Sequence, residues 1–356
     1  MKLLLCAASA RALAESAKKA GYEFASLDFF GDVDTKEAGR NYSLREFGDS
    51  YSTESLYNRA LGLDFTHVVY GAGFENYPEL VEGFEKRALV VGNDSKTLRH
   101  VRDWRNFFSN LEKAGIKFPK TEIVRAGNAQ VSNGKILKSK KTGGGHRIHT
   151  SGEMFDADEE VLSQDLISGT LISTCIVGDG NECRFLGATE QIAAPDYLYL
   201  GNIAPLETTK EVEETSVVIG EIFNLRGVNG IDFIMAKDGP YALEVNPRPT
   251  GAMEVLEMAY GVNMLDMHVK ACKGDLDFKT TRKGRFYGKK IIYAADRTKF
   301  SLTKRPIFIK DVPHDGYIEE GGPVCTVIAS GATIDECKGD LAKKEKKYEN
   351  LRQENL

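Results

Sequence analysis

Two apolar runs, one around Gly230-Ile231-Asp232-Phe233-Ile234 and one ending in Glu244-Val245-Asn246-Pro247-Arg248, are separated by the turn Lys237-Asp238-Gly239-Pro240. Runs joined by so short a turn fold as antiparallel strands. The hairpin brings Asp232 and Glu244, twelve positions apart, to one region of a sheet. Side chains two residues apart share a strand face, so Glu244, Asn246 and Arg248 point the same way. Two carboxylates and an amide oxygen suit a hard cation such as Mg²⁺, which takes oxygen ligands and often bridges substrate phosphates. An arginine next along that face suits a phosphate or carboxylate. The pattern points to a nucleotide triphosphate handled through magnesium.

A chain of 356 residues is too long for one ordinary domain and implies two or three lobes. Its 42% hydrophobic and 28% charged content allows a sizeable core. A net charge of −5 argues against a nucleic-acid groove as the main function. The basic cluster Lys135, Lys138, Lys140 and Lys141 therefore reads as a local site. The opening Met1-Lys2-Leu3-Leu4-Leu5-Cys6-Ala7-Ala8 is a short apolar run cut by Arg11, which reads as a buried first strand rather than a leader. No run is long enough to span a bilayer. The six cysteines lack a CxxC pair or regular spacing, so disulfides and zinc are not expected and a reducing cytoplasm is favoured.

The first ninety residues alternate strand and helix patterns. Strands are expected at Leu3–Ala7, Phe24–Asp28, Thr66–Tyr70 and Ala88–Gly92, with helices at Ala10–Ala20 and Pro78–Phe84. Such alternation indicates parallel βαβ units in a doubly wound α/β domain. One helix is expected from Lys96 to Ala114, stopped by Gly115 and Pro119. Strands and hairpins with interspersed helices then give an α+β region to Cys272, followed by short strands with Gly/Pro turns and a charged helical tail from Thr333 to Leu356. The expected domains are 1–93, 94–272 and 273–356.

The run Ile136-Leu137-Lys138-Ser139-Lys140-Lys141-Thr142-Gly143-Gly144-Gly145-His146 places a lysine on a strand before three glycines whose N–H groups can fold over phosphates. It is not a Walker A loop, since no Gly-Lys-Ser/Thr follows. The extended segment Gln164-Asp165-Leu166-Ile167-Ser168-Gly169-Thr170 can offer backbone groups to an adenine edge. Gly71-Ala72-Gly73-Phe74-Glu75-Asn76 lacks the third glycine of a dinucleotide loop and reads as a turn facing the cleft, with Glu75 as a candidate substrate contact. His146 and His149 have no accompanying ligand cluster and read as loop polarity. Asp28, Asp32 and Asp34 lack the closing glycine and glutamate of a calcium loop, and read as a solvated or substrate-facing acidic loop.

Taken in order, these residues resemble the ATP-grasp superfamily, over nearly the whole chain, and within it the predicted ATP-dependent carboligases. The Glu244-Val245-Asn246-Pro247-Arg248 motif is specific, the glycine loop moderately so; the opening Ser9-Ala10-Arg11-Ala12 is suggestive. The resemblance implies an ATP-grasp fold with an N-terminal doubly wound pre-ATP-grasp domain and a β-rich C-terminal region similar to that of biotin-carboxylase-like members. It implies that Lys138 contacts ATP phosphates, Gly143, Gly144 and Gly145 form the lid, and Gln164, Asp165 and Leu166 form the adenine hinge. Asp232, Glu244 and Asn246 match the magnesium ligands (Mn²⁺ could substitute), and Arg248 an arginine that steadies phosphate or acyl-phosphate charge. A second ATP-binding cation expected before the Gly-x-x-x-Pro segment falls at Arg102-Asp103-Trp104-Arg105, where tryptophan takes the aligned place and Arg102 or Arg105 is the candidate substitute.

The activity implied is a cytoplasmic Mg-ATP-dependent ligase that activates a small-molecule carboxylate as an acyl phosphate and joins it to an amine, forming a C–N bond and releasing ADP and phosphate. Lys138 and Arg248 would carry the catalysis. The alternatives are a carboxylase-like or kinase-like enzyme, or a nucleotide-binding protein without catalysis. No nucleic-acid or membrane partner is expected. A homodimer is compatible with the family's habits.

Overall fold

The computed structural model describes residues 1–128, 134–141, 143–149, 155–300, 305–314 and 316–354. Thr142 of the glycine run and the last two residues of the tail lie outside them.

The N-terminal region carries strands β1 (Leu3–Cys6), β2 (Phe24–Asp28), β3 (Arg40–Ser43), β4 (His67–Tyr70) and β5 (Leu89–Val90). They form a parallel sheet in the order β3-β2-β1-β4-β5. The interspersed helices are α1 (Arg11–Lys19), α2 (Val33–Ala38), α3 (Leu44–Phe47), α4 (Thr53–Ala60) and α5 (Pro78–Glu85). In α1 the buried Leu13, Ala14 and Ala17 recur at helical spacing, and Gly21 at φ +76° turns the chain into β2. The unassigned stretch between β2 and β4 thus holds a strand and three short helices. Their side-chain caps, such as Ser52 Oγ accepting from Ser55 N at 2.9 Å, are local signals that hydrophobic periodicity does not show.

The helix expected over 96–114 is two helices, α6 (Ser95–Arg102) and α7 (Trp104–Lys113). Asp103 separates them with extended dihedrals, and its carboxylate caps α7 by accepting from Asn106 N at 3.2 Å. The apolar periodicity continues across this break because both helices bury one face, Leu98 and Val101 in the first, Phe107 and Leu111 in the second.

A small sheet follows, of β6 (Thr121–Arg125), β7 (Lys135–Ser139), β8 (Ile148–His149) and β9 (Glu160–Asp165), in the order β6-β9-β7-β8. The larger sheet begins with β10 (Thr170–Asp179), β11 (Cys183–Ala193) and β12 (Tyr199–Leu206), then, after helix α8 (Lys210–Ile222), β13 (Arg226–Ala236) and β14 (Gly239–Asn246). Helices α9 (Met253–Tyr260) and α10 (Met264–Ala271) pack beside it. The remaining strands are β15 (Phe286–Tyr293), β16 (Thr298–Lys299), β17 (Ile309–Lys310), β18 (Tyr317–Ile318) and β19 (Pro323–Gly331), before the terminal helix α11 (Ile334–Glu354). One eight-stranded sheet runs β14-β13-β10-β11-β12-β15-β19-β17, so β15, β19 and β17 continue the sheet that holds the acidic hairpin, while β16 and β18 pair with each other.

The N-terminal region is fastened to this sheet by buried polar contacts. His268 on α10 accepts from Val228 N at Nδ1 and meets the Val91 carbonyl at Nε2, both at 2.9 Å, which places the ring proton on Nε2. Asn93 donates to Pro247 O at 2.9 Å and accepts from Arg226 N at 2.7 Å. Tyr70 OH donates to Asn93 O. These bonds fix Pro247, and with it Arg248, against the parallel sheet.

Candidate active site

Antiparallel pairing of β13 with β14 puts Asp232 directly opposite Glu244 and Gly230 opposite Asn246. The pleat sends Phe233 into the core while Asp232 faces a cavity of about 800 Å³, and a bulge at Leu243 of β14 shifts the pairing beyond them. Asp232 Oδ1 accepts from Gln191 Nε2 at 2.7 Å and from Ser173 Oγ, and Oδ2 from Asn246 Nδ2 at 3.0 Å. Burial, with the charge of Glu244 opposite, pushes its carboxyl up to about 7 despite these bonds. For Glu244, burial also opposes the charge, but Lys138, Arg102 and Arg248 outweigh it and hold the group below the usual range. The pair is thus split: one carboxylate is neutralised by cations and the other is short of them.

Lys138 reaches Glu244 from the small sheet. Its strand pairs with β9 and β8, with Lys138 opposite Leu162 and Ile148. The ammonium lies 3.4 Å from Glu244 Oε2 and 5.9 Å from the centre of the Trp104 ring. Trp104 is itself held by its Nε1, which donates to Lys140 O at 3.2 Å. Of the basic cluster only Lys138 lines the cavity; Lys140 pairs with Glu160 at 2.8 Å.

Gly144 and Gly145 line the cavity, and Gly143 does not. Gly145 has φ +76°, and a Cβ there would stand 1.9 Å from Tyr197 O. Tyr199 N donates to Gly144 O at 2.9 Å. The turn is therefore laid directly on residues 197–199, which only glycine permits.

The expected hinge is placed at the end of β9. Gln164 and Asp165 are held in the sheet, Asp165 N donating to Lys120 O at 2.9 Å and Leu166 N to Gly134 O at 2.7 Å. Those N–H groups are spent. The backbone that follows, from Ile167 to Gly169, also lines the cavity, and the Ile167 N–H has no partner among the described residues.

Arg248 is buried, with Nε donating to Glu75 Oε1 at 2.7 Å and Nη2 to Asn246 Oδ1 at 3.3 Å. Glu75 is only 1% exposed, and its other oxygen accepts from Gly73 N at 2.6 Å. It orients Arg248 instead of facing a substrate. Arg105 requires a correction: it is exposed and does not line the cavity. The break at Asp103 directs Trp104 inward and Arg105 to solvent. Arg102 lies inside, donating to Val245 O at 3.2 Å, and burial lowers its basicity although Glu75 and Glu244 oppose this.

The acidic stretch after β2 is also corrected. Asp28, Asp32 and Asp34 are buried rather than solvated, and Asp32 lines the same cavity. Sequence reasoning missed Ser173 and Gln191, which bind Asp232, and Arg11, which is 1% exposed. Ser173 and Gln191 had a signal, being polar side chains on apolar strands. Arg11 had the weaker one of a charge on the apolar side of α1.

Residues 101–252 match the ATP-grasp domain family. An uncharacterized protein of Methanocaldococcus jannaschii is 26% identical over 99% of this chain and 95% of its own length. Among solved structures, the biotin carboxylase–βγ-ATP complex of Campylobacter jejuni superposes with a TM-score of 0.75 at 15% identity, covering 95% of this chain and 89% of that one. Phosphoribosylamine–glycine ligase of Thermotoga maritima superposes with a TM-score of 0.71 at 15% identity, covering 96% of each chain. With the paired sheets, the lysine-bearing glycine hairpin and the acidic hairpin already in place, residues 101–252 form an ATP-grasp domain, and the chain as a whole shares the fold of these solved structures.

Proposed function

We propose that the chain is an ATP-dependent carboxylate–amine ligase that forms a C–N bond with release of ADP and phosphate. The observation that carries this reading is the convergence of Asp232, Glu244, Asn246, Arg248 and Lys138 on one cavity beneath the glycine turn. Division into residues 1–93, 94–272 and 273–356 belongs to the same proposal.

The donor set fits a divalent cation. Two carboxylates stand opposite one another, and the partial neutrality forced on Asp232 by burial and Glu244 marks a place short of positive charge. Asn246 now turns its nitrogen to Asp232 and its oxygen to Arg248, so ligation requires the amide to turn over. Mg²⁺, or Mn²⁺ in its place, would supply neutralising charge for the nucleotide's terminal phosphates.

The chain's own residues position and shield. Ile167 and its neighbours offer backbone groups to the adenine. Lys138 holds a phosphate oxygen, and Gly144 and Gly145 cover it with N–H groups. A substrate carboxylate oxygen attacks the terminal phosphorus, the bond to ADP breaks, and an acyl phosphate forms. The amine then attacks the acyl carbon, expelling phosphate and losing a proton. Arg248, held by Glu75, balances the charge of the phosphate that is transferred and released. The lid excludes water, to which an acyl phosphate would be lost.

Carboxylase-like chemistry is the second reading, favoured by the likeness to biotin carboxylase. The cysteines, all free, and the lack among the described residues of a helix able to cross a membrane accord with a cytoplasmic enzyme. Phosphate release is to be followed with Mg-ATP and pooled carboxylates and amines. Release that needs both pools, and falls by about 100-fold or more in folded Glu244→Ala, supports the ligase. Release that needs bicarbonate and no amine supports the carboxylase. Full turnover in folded Glu244→Ala removes the magnesium assignment.

A further inference from the structure

A second polar cluster borders the same cavity, where α1, the loop before α2, α9 and the turn after β17 meet. Arg11 lies at its centre. Its Nε donates to Asp311 Oδ1 at 2.8 Å and its Nη2 to Glu254 Oε2 at 2.8 Å. Asp311 holds φ +52°, a left-handed conformation that a non-glycine residue keeps only when its surroundings impose it.

The neighbouring carboxylates are spoken for. Asp28 accepts from Ala10 N at 3.2 Å and Gly31 N at 3.0 Å; Asp34 accepts from Asp311 N at 2.9 Å and Val312 N at 3.1 Å. The Asp28 bonds brace the N-terminal region internally, and the Asp34 bonds tie it to the turn after β17. Asp32 differs. It is 3% exposed, lines the cavity, and has no hydrogen bond or ion pair from its side chain among the described residues.

Charge counting points the same way. Six carboxylates (Glu15, Asp28, Asp32, Asp34, Glu254 and Asp311) face four cations, Arg11, Lys289, Lys310 and, on the cavity wall, Arg45. With every carboxyl ionised the cluster would be two positive charges short. Burial, with Asp311, Asp28 and Asp34 nearby, pushes Asp32 up to about 8, against the pull of Arg11. An added cation would relieve that cost. A metal ion is the poorer candidate, since among the described residues no group of three His, Cys, Asp or Glu is arranged to hold one.

We propose that Asp32, with the remaining acceptor capacity of Asp311, forms the ammonium-binding subsite for the amine substrate. The reading rests on the ligase proposal, in which one substrate is an amine. An ammonium donates up to three hydrogen bonds and fits a buried carboxylate lacking donors. The site selects a cationic amine over a neutral or anionic molecule of equal length.

The test uses the full chain and three probes of one length, putrescine, butane-1,4-diol and succinate, by titration calorimetry with Mg-ADP present. Nucleotide affinity is measured separately with a fluorescent ATP analogue. Putrescine is expected to bind about tenfold or more tighter than the diol, with succinate weaker still. Asp32→Asn is expected to reduce putrescine affinity by about tenfold and leave analogue affinity within about twofold. Equal binding of diol or succinate, no putrescine binding, displacement of putrescine by Ca²⁺, or full affinity in Asp32→Asn each overturns the subsite. Should Asp32→Asn not fold, the three probes on the unaltered chain decide the matter alone. Loss of analogue binding with putrescine selectivity intact would strike the ligase reading and leave the subsite standing.

Discussion

Two buried polar clusters share one cavity and are balanced differently. Around Asp232 and Glu244, each side chain has a partner, and the cations arrive from separate elements: Lys138 from the small sheet, Arg248 from the loop after β14, Arg102 from α6. Around Arg11, one guanidinium serves Glu254 and Asp311 closely and Glu15 and Asp34 at longer range, and Asp32 has none of it within bonding reach. The first arrangement distributes charge so that parts can move without stranding an ion. The second concentrates it, so that removing one residue strands several. A buried network of the first kind suits a site that opens and shuts, and one of the second kind suits a fixed joint with a vacancy for a ligand.

The largest expected effect breaks the joint. Arg11→Met leaves Glu254 and Asp311 with Lys289 as the nearest remaining cation, and should lower unfolding free energy by about 3–5 kcal/mol in urea titrations. If the two clusters were alike, Lys138→Met would do the same. Instead it should cut phosphate release by about 100-fold or more while costing stability much less, since Glu244 keeps Arg102 and Arg248 nearby. Steady-state kinetics beside calorimetry of the same sample separates the two outcomes.

The smallest effect has the opposite sign. Asp32 has its folded carboxyl raised to about 8, so its charged form is disfavoured on folding. Such a group withdraws stability as pH rises from the unfolded value near 3.8 towards 8. Asp32→Asn should therefore stabilise the chain at pH 8, by on the order of 1–3 kcal/mol, and do little at pH 4. Asp311, Asp28, Asp34 and Arg11 all act on this group, so the measurement is a titration of unfolding free energy in both chains across that range. A variant less stable at pH 8 than at pH 4, relative to the parent, would mean that Asp32 is already compensated.

The first cluster was legible because a strand writes its geometry into sequence. Glu244 and Asn246 at spacing two, and Asp232 across a turn from them, share a face by the pleat, while Arg248, in the loop beyond β14, is brought to them by its bond to Glu75. The β1, β2 and β4 strands of the parallel sheet showed for the same reason, as short apolar runs. The second cluster was not legible. Asp34 and Asp311 meet only because the chain returns after β17 to the loop before α2, and no local pattern encodes that return. Arg105 was misplaced for a smaller reason: a single capping residue, Asp103, resets the helix axis without interrupting the apolar period. Within the segment from Gln164 to Thr170, the spending of the Asp165 and Leu166 N–H groups on Lys120 O and Gly134 O is a matter of chain pairing that no local pattern shows.

The unbroken sheet from β14 to β17 has a consequence for timing. Acidic hairpin, Lys289 and the segment leading to Asp311 all ride on it, and their separations are set by its ladders. The small sheet β6 to β9 lies outside those ladders, and a movement of it would carry Lys138 and the glycine turn as passengers. Admission of nucleotide and its release would then be gated by one travelling ammonium leaving and rejoining Glu244, while the acceptor's berth stays still.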